Sequence, residues 1–387
     1  MILPRLSAVL SVFIGGAAIL AGAEPKPKLD QYWAYIGTYT GKNSKGIYRF
    51  TFDSTNGKLS DRELVAETDN PTFLAASPDG HALYACTEVS DFKGKKAGAI
   101  GAYKLDAKTG KLTLINQEST GGPGPCHLIV DHGGKHVLAA NYGGGSTVVL
   151  PVGEDGKLGP ATAFVQHKGS SINKQRQEGP HAHCTELDAA GRYAFTCDLG
   201  LDKVLIFKYD SAKGTLTANE PDAVSLKGGA GPRHIAFHPD GKHAYVNNEL
   251  DSTVTAMTYD AEHGALKALK TLSTLPEEVK GNSTAEIEVH PSGKFVYVSN
   301  RGHNSIAIFR VDEKTGELTT AGHQGKGIKT PRNFAIDPTG NYLIVANQDS
   351  DSLVVFRIDA KTGALTSVGE PVDVGAPVCV KFVPKAS

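Results

Sequence analysis

The chain has 387 residues, 40 of them Lys or Arg and 41 Asp or Glu, so its formal net charge is −1. That balance, with no Lys/Arg-rich stripe, excludes a nucleic-acid-binding surface. Forty-four glycines, twenty prolines and a 40% hydrophobic content point to many tight turns between short strands around an ample core.

The N-terminus differs from the rest. Arg5 supplies a short positive region, Leu6 to Leu20 is apolar or small throughout, and Ala21-Gly22-Ala23 matches a small-x-small cleavage pattern. Residues 1–23 therefore read as a secretory signal peptide, 24–31 as a Pro/Lys-rich linker and 32–387 as one domain. The apolar run is shorter than the ~20 residues a spanning helix needs. The expectation is an exported protein, periplasmic or secreted, without stable membrane insertion. Removing residues 1–23 deletes Arg5 and leaves a mature charge of −2.

Beyond the linker, the phrase Asp-x-x-x-Gly-x-Leu recurs at intervals of roughly fifty residues. It stands at Asp53–Leu59, Asp106–Leu112, Asp210–Leu216, Asp260–Leu266, Asp312–Leu318 and Asp359–Leu365, and in degraded form at Val152–Leu158. A fixed period of this length means one supersecondary unit copied along the chain. The clearest copy begins with a β-rich run, Arg233 to His238, and the turn Pro239-Asp240-Gly241. A second strand, His243 to Asn248, follows. A second turn then leads to an alternating strand, Thr253 to Tyr259, and the repeated phrase opens a fourth. Four short antiparallel strands make one propeller blade, so seven copies predict an all-β, seven-bladed propeller. The first-hairpin glycine recurs only six times, at Gly80, Gly134, Gly191, Gly241, Gly293 and Gly340. The chain starts mid-blade with Tyr32 to Thr38 and ends on a lone strand, Val378 to Val383. That last strand is expected to complete the first blade and close the ring.

Five cysteines without C-x-x-C spacing argue against a structural zinc site. Cys184 and Cys197 lie symmetrically about the Ala190-Gly191 turn and should face each other across a hairpin, as two free thiols or as a disulfide. His238 and His290 sit beside turns like capping residues. His81, His136 and His243 follow turn glycines and are expected at the surface.

The turn glycines also serve as a ruler. Residues before the first strand and after the second of a hairpin lie at one end. If first strands line the channel, these positions cluster at one mouth. Eight and seven residues before the glycines stand His183, Arg233, Arg332, His127, His234 and Glu286; eight after stand Glu249 and Arg301. Guanidiniums at a channel mouth suit an anionic ligand, and His with Glu suits acid–base chemistry. The same groups could instead tie neighbouring blades together by pairing. One loop, Gln166 to Pro180, breaks the rhythm and is expected to bring Ser170, Ser171, Arg176 and Gln177 over that mouth. It holds no G-x-S-x-G elbow for a serine nucleophile. The His181-Ala-His183 spacing alone is a weak metal signal, so no metal or other cofactor is expected.

Several stretches together resemble a known family: Gly169-Ser170-Ser171 with Arg176-Gln177 and Gly179-Pro-His-Ala-His183, Gly229 to Pro239, Asn248 to Val254, and Val298 to Ile306. They look like the seven-bladed propeller lactonases, which include bacterial 6-phosphogluconolactonases and fungal carboxy-muconate cyclases. The resemblance covers residues 32–384. It implies metal-independent chemistry at His183, Arg233, Glu249 and Arg301, with His183 or Glu249 as the base for water and the other as proton donor. Arg332 is implied as a substrate ligand, and His127, His234, Glu286 and Arg176 join the substrate-binding set. Alternation of faces along a strand would nonetheless turn His234, next to Arg233, into the sheet. The implied partner is a small anionic lactone and the expected state a monomer. The signal peptide is a departure from the cytosolic phosphogluconolactonases. A lactonising cycloisomerase using the same arginines and a non-catalytic exported binding module are the competing readings.

Overall fold

The computed structural model of the chain describes residues 30–386, so the expected signal peptide and most of the linker lie outside the described residues. The described residues form seven sheets of four antiparallel strands, with one short 3-10 turn at Gln348–Ser350. Blade 1 runs from Pro377–Pro384 through Gln31–Thr38 and Gly46–Asp53 to Lys58–Glu67. The C-terminal strand is thus its innermost member and closes the ring, as the split of hairpins between the two ends of the chain predicts. Blades 2 to 7 follow in chain order. Their innermost strands are Leu74–Ala76, Pro125–Val130, Ala182–Leu187, Pro232–Phe237, Ser283–Val289 and Pro331–Ile336. Second and third strands are sandwiched between neighbouring blades and almost wholly buried, whereas fourth strands are largely exposed.

The repeated phrase turns out to fasten one blade to the next. Its Asp carbonyl accepts the Gly N–H and closes the turn between third and fourth strands, as at Asp106/Gly110, Asp210/Gly214 and Asp312/Gly316. The glycine then lies flat on the second strand of the preceding blade. A Cβ on Gly264 would stand 2.4 Å from the Tyr193 ring, and one on Gly363 2.5 Å from Phe295. Tyrosines complete the joint: Tyr245 donates to the Gly316 carbonyl at 3.1 Å and Tyr297 to that of Gly363 at 2.9 Å. Gly264→Ala should therefore destabilise the fold by about 2–4 kcal/mol, through both a left-handed alanine and an overpacked ring. Gly241 has a similar φ of +68° but open space around it, so its alanine variant should lose only about 1–2 kcal/mol. Denaturant midpoints of the two variants check this; equal losses would contradict the packing role.

The same joint corrects the expectation for two histidines. His136 and His243 are buried, because the glycines of the phrase, Gly214 and Gly316, cover their rings. His81 is exposed as expected. His238 and His290 do serve their turns, and each also links two blades, donating from Nε2 to the carbonyl of Gly293 or Gly340 at 2.8 Å. Cys184 and Cys197 face each other across their hairpin as free thiols.

One irregularity positions the site. In blade 5, Pro232 pairs with Asn248 and His234 with Asn247, so Arg233 is an extra, unpaired residue. The same register shift occurs in the innermost strands of blades 1, 3, 4, 6 and 7. Such a bulge re-aims side chains and breaks simple alternation. His234 consequently lines the channel beside Arg233 instead of turning into the sheet.

Candidate active site

The bulges, with the residues preceding Leu74 in unbulged blade 2, place two successive rings of side chains in the channel. The outer ring carries Thr72, Cys126, His183, Arg233 and Arg332, and the next ring inward carries Phe73, His127, His234, Glu286 and Asn333. The ends of the second strands crown the mouth with Glu88, Tyr142, Glu249 and Arg301. The mouth is thus composed largely as the glycine ruler predicts, with His127, His234 and Glu286 one layer deeper.

Glu249 is the hub. It is 5% exposed. Its Oε1 pairs with Arg176 Nη2 at 2.7 Å, and its Oε2 with Arg233 Nε and Arg301 Nη2, each at 3.1 Å. Burial alone would raise its carboxyl, but Arg301, Arg233 and Arg176 outweigh that and hold it at about 2. Arg176 arrives from the loop before His181 and also donates to the Tyr142 hydroxyl at 3.0 Å. The other loop residues do not join it. Gln177 is buried and donates to the Leu199 carbonyl, Ser171 bonds to Asp202, and Ser170 is exposed. They brace the loop, and only Arg176 reaches the mouth.

Two guanidiniums keep unused donors. Arg301 donates from Nη2 to the Thr284 carbonyl at 2.9 Å, while its buried Nε has no hydrogen-bond partner among the described residues. Arg332 has no hydrogen bond or ion pair among the described residues; its guanidinium lies 5.3 Å from the Tyr39 ring centre. Tyr39 is in turn fixed by donating to Glu88 at 3.1 Å, and Glu88 also accepts from Thr72 at 2.5 Å. Tyr39 is a site residue beyond the reach of the glycine ruler. It follows the second strand of blade 1, as Glu249 does in blade 5, but that hairpin is split between the chain ends and has no turn glycine to measure from.

Deeper in, His234 donates from Nδ1 to Glu286 Oε1 at 2.7 Å and accepts from Arg233 Nη1 at 3.2 Å. Glu286 also accepts from Asn333 at 2.5 Å and from the Ile287 N–H at 3.0 Å. The His183 ring packs 5.2 Å from that of His234 and 5.3 Å from that of Tyr142. Burial, then Arg233 and His234, hold the His183 imidazole well below its usual range, so it is neutral at neutral pH.

His127, with Phe73, His234, Glu286 and Asn333 of the same ring, also borders a cavity of about 440 Å3 that fills the turn-bearing half of the channel. Its walls bring in Glu186, Glu288 and Lys381, three residues on from the bulges, which the ruler did not sample. Burial raises both of those carboxyls above their ordinary range. Among the described residues, two sets bring three potential metal ligands close together: His127, Cys184 and Glu186, and His238, Asp240 and His243. Their hydrogen bonds do not suit a metal. His127 Nδ1 accepts the Thr185 N–H at 3.4 Å, which leaves the proton on Nε2, the atom facing the other ligands. His238 is engaged at both nitrogens, donating to Gly293 and accepting the Asp240 N–H.

A family model described as lactonase, 7-bladed beta-propeller, matches residues 33–382. A 6-phosphogluconolactonase of Bacillus subtilis is 39% identical over 356 residues, 92% of this chain and 99% of the relative. Among solved structures, the periplasmic gluconolactonase of Pseudomonas aeruginosa aligns with a TM-score of 0.86 at 33% identity, covering 92% of this chain and all of that one. A Bacteroides fragilis protein aligns with the same TM-score at 38% identity, over 93% of this chain and all of its own. With the propeller, the mouth and these matches in agreement, the chain belongs to the seven-bladed β-propeller lactonase family.

Proposed function

We propose that this protein is an exported lactone hydrolase that opens a sugar-derived lactone carrying an anionic group, at the Arg/Glu mouth of the channel. The observation that carries the reading is Arg332, a guanidinium that makes no direct ion pair among the described residues, at a mouth where four arginines face two glutamates. Such a group suits the phosphate or carboxylate of a ligand. The names of the Bacillus and Pseudomonas relatives support the lactone as substrate class.

Ester opening needs a water nucleophile, donors for the developing oxyanion and a proton for the leaving alkoxide. Arg233 and Arg301 supply donors for the oxyanion. Glu249, ionised down to about pH 2, fits the role of organiser of three arginines better than that of proton donor. Neutral His183, beside them, relays the proton to the ring oxygen as the C–O bond breaks. The products are a hydroxyl and a carboxylate, with one proton released.

Arg332→Ala tests the anion subsite. A charge-assisted hydrogen bond contributes about 1.5–3 kcal/mol, so KM for 6-phosphoglucono-δ-lactone should rise roughly 10- to 150-fold. KM for glucono-δ-lactone should barely move. An equal change on both substrates would remove Arg332 from anion recognition.

A further inference from the structure

Three groups at this site could serve as the base, and their surroundings differ. Glu249 is saturated by three guanidiniums. Among the described residues His183 has no carboxylate partner, and its Nδ1 faces the Cys126 sulfur at 3.7 Å. His234 is held as bases in acyl transfer are held. Its Nδ1–H is donated to an ionised carboxylate, which fixes the tautomer and leaves Nε2 with the lone pair. The carboxylate is itself locked, since Asn333 donates to it and accepts the Val380 N–H at 2.8 Å. The chain Val380–Asn333–Glu286–His234 thus crosses four blades and ends on an imidazole that is 4% exposed.

His234 also borders a small void beneath the arginines. Arg233, Arg332, Glu88, Thr72 and Glu286 share its lining, and at about 10 Å3 it has room for the centre of a single water. We infer that this void is the seat of the hydrolytic water and that His234, oriented by Glu286 and Asn333, is the catalytic base that activates it. The inference rests on the hydrolase reading above. When a lactone carbonyl recruits Arg233, the Nη1 hydrogen leaves Nε2 and the lone pair turns to the water. As the water oxygen bonds to the carbonyl carbon, its proton passes to Nε2 and the carbonyl π pair becomes the oxyanion. Collapse of that oxyanion expels the ring oxygen, which takes up the proton.

Glu286, Arg233, Arg332, His127 and His183 are the charged or titratable groups facing the His234 ring. Burial, with Arg233 and Arg332, outweighs Glu286 and lowers the imidazole below its ordinary ~6.5. A base works only when neutral, so activity is present above that lowered pKa and is lost as pH falls through it.

The test is the pH dependence of kcat and KM for the wild type, His234→Gln, Glu286→Gln and Glu286→Asp on 6-phosphoglucono-δ-lactone. His234→Gln should lose about 10²–10⁴-fold in kcat with little change in KM, and the acid limb should disappear. Glu286→Gln removes the charge that favours the imidazolium, so its limb should move to lower pH with a reduced kcat, and Glu286→Asp should partly restore both. Folding of each variant is read independently by its thermal midpoint. A folded His234→Gln with kcat within threefold of the wild type, or with an unchanged acid limb, overturns the assignment while leaving the hydrolase reading intact. A wild type without any lactone turnover sinks both together.

Discussion

Arg233→Ala should lower kcat on an anionic lactone by about 10²–10³-fold, the usual loss when one oxyanion donor is removed. The guanidinium is 3% exposed and bonded on three sides: to Glu249, to the Ala285 carbonyl and to His234. The bonds to Glu249 and the Ala285 carbonyl keep it oriented towards the reacting carbonyl when its Nη1–H leaves His234. Its loss should appear in kcat more than in KM, since the oxyanion forms only in the transition state. Arg176 provides the contrast. Its side chain is 42% exposed at the rim, and exposed ion pairs contribute about 0–1 kcal/mol. Arg176→Ala should stay within about fivefold of the wild-type kcat/KM. Steady-state kinetics of the two variants decide the matter, and a comparable loss in both would remove the distinction between a buried donor and a rim contact.

Glu249→Gln should destabilise the protein as well as silence it. The substitution leaves Arg233 and Arg301 charged and nearly enclosed, and removing one partner of a buried pair costs about 3–5 kcal/mol. Arg176, partly solvated, adds little to that figure. The pH dependence has a definite sign. Glu249 sits at about 2 in the fold against an ordinary value of 4.5, so its contribution is complete above about 4.5 and fades as pH falls towards 2. The stability gap between wild type and variant should accordingly be widest at neutral pH and shrink across that window. Urea titrations at pH 7 and pH 3 measure it; a gap that stays constant would mean the three ion pairs do not hold the mouth together.

The architecture was readable because it is periodic. Each Asp-x-x-x-Gly-x-Leu phrase is needed at every joint between blades, since only glycine lies flat under Tyr193 or Phe295, so the pattern survives in the sequence as a count of blades. Missing strands at both ends then predicted the closure of blade 1. The mouth was legible for a related reason: turn glycines fix the distance to the channel, so Arg233, Glu249 and Arg301 could be placed together from spacing alone. What escaped had no local signature. The ruler put His234 at the mouth while strand alternation turned it into the sheet, and only the bulge, which leaves no mark in composition, decides between them. Tyr39 lay beyond the ruler because its hairpin is assembled from both ends of the chain. His136 and His243 looked like surface residues because the glycines covering them belong to the next blade, some seventy residues away. The chamber lined by Glu186, Glu288 and Lys381 combines residues from three blades whose local contexts are ordinary strands.

The proposed activity is the opening of an anionic lactone at the arginine mouth. The most direct measurement is the hydrolysis rate of 6-phosphoglucono-δ-lactone by the mature protein, with chelator present and spontaneous opening subtracted, beside Arg233→Ala. A saturable, chelator-insensitive excess rate is expected, which the variant loses by at least about 10²-fold. An excess rate that Arg233→Ala retains, or no excess at all on this or a carboxylated sugar lactone, would contradict it.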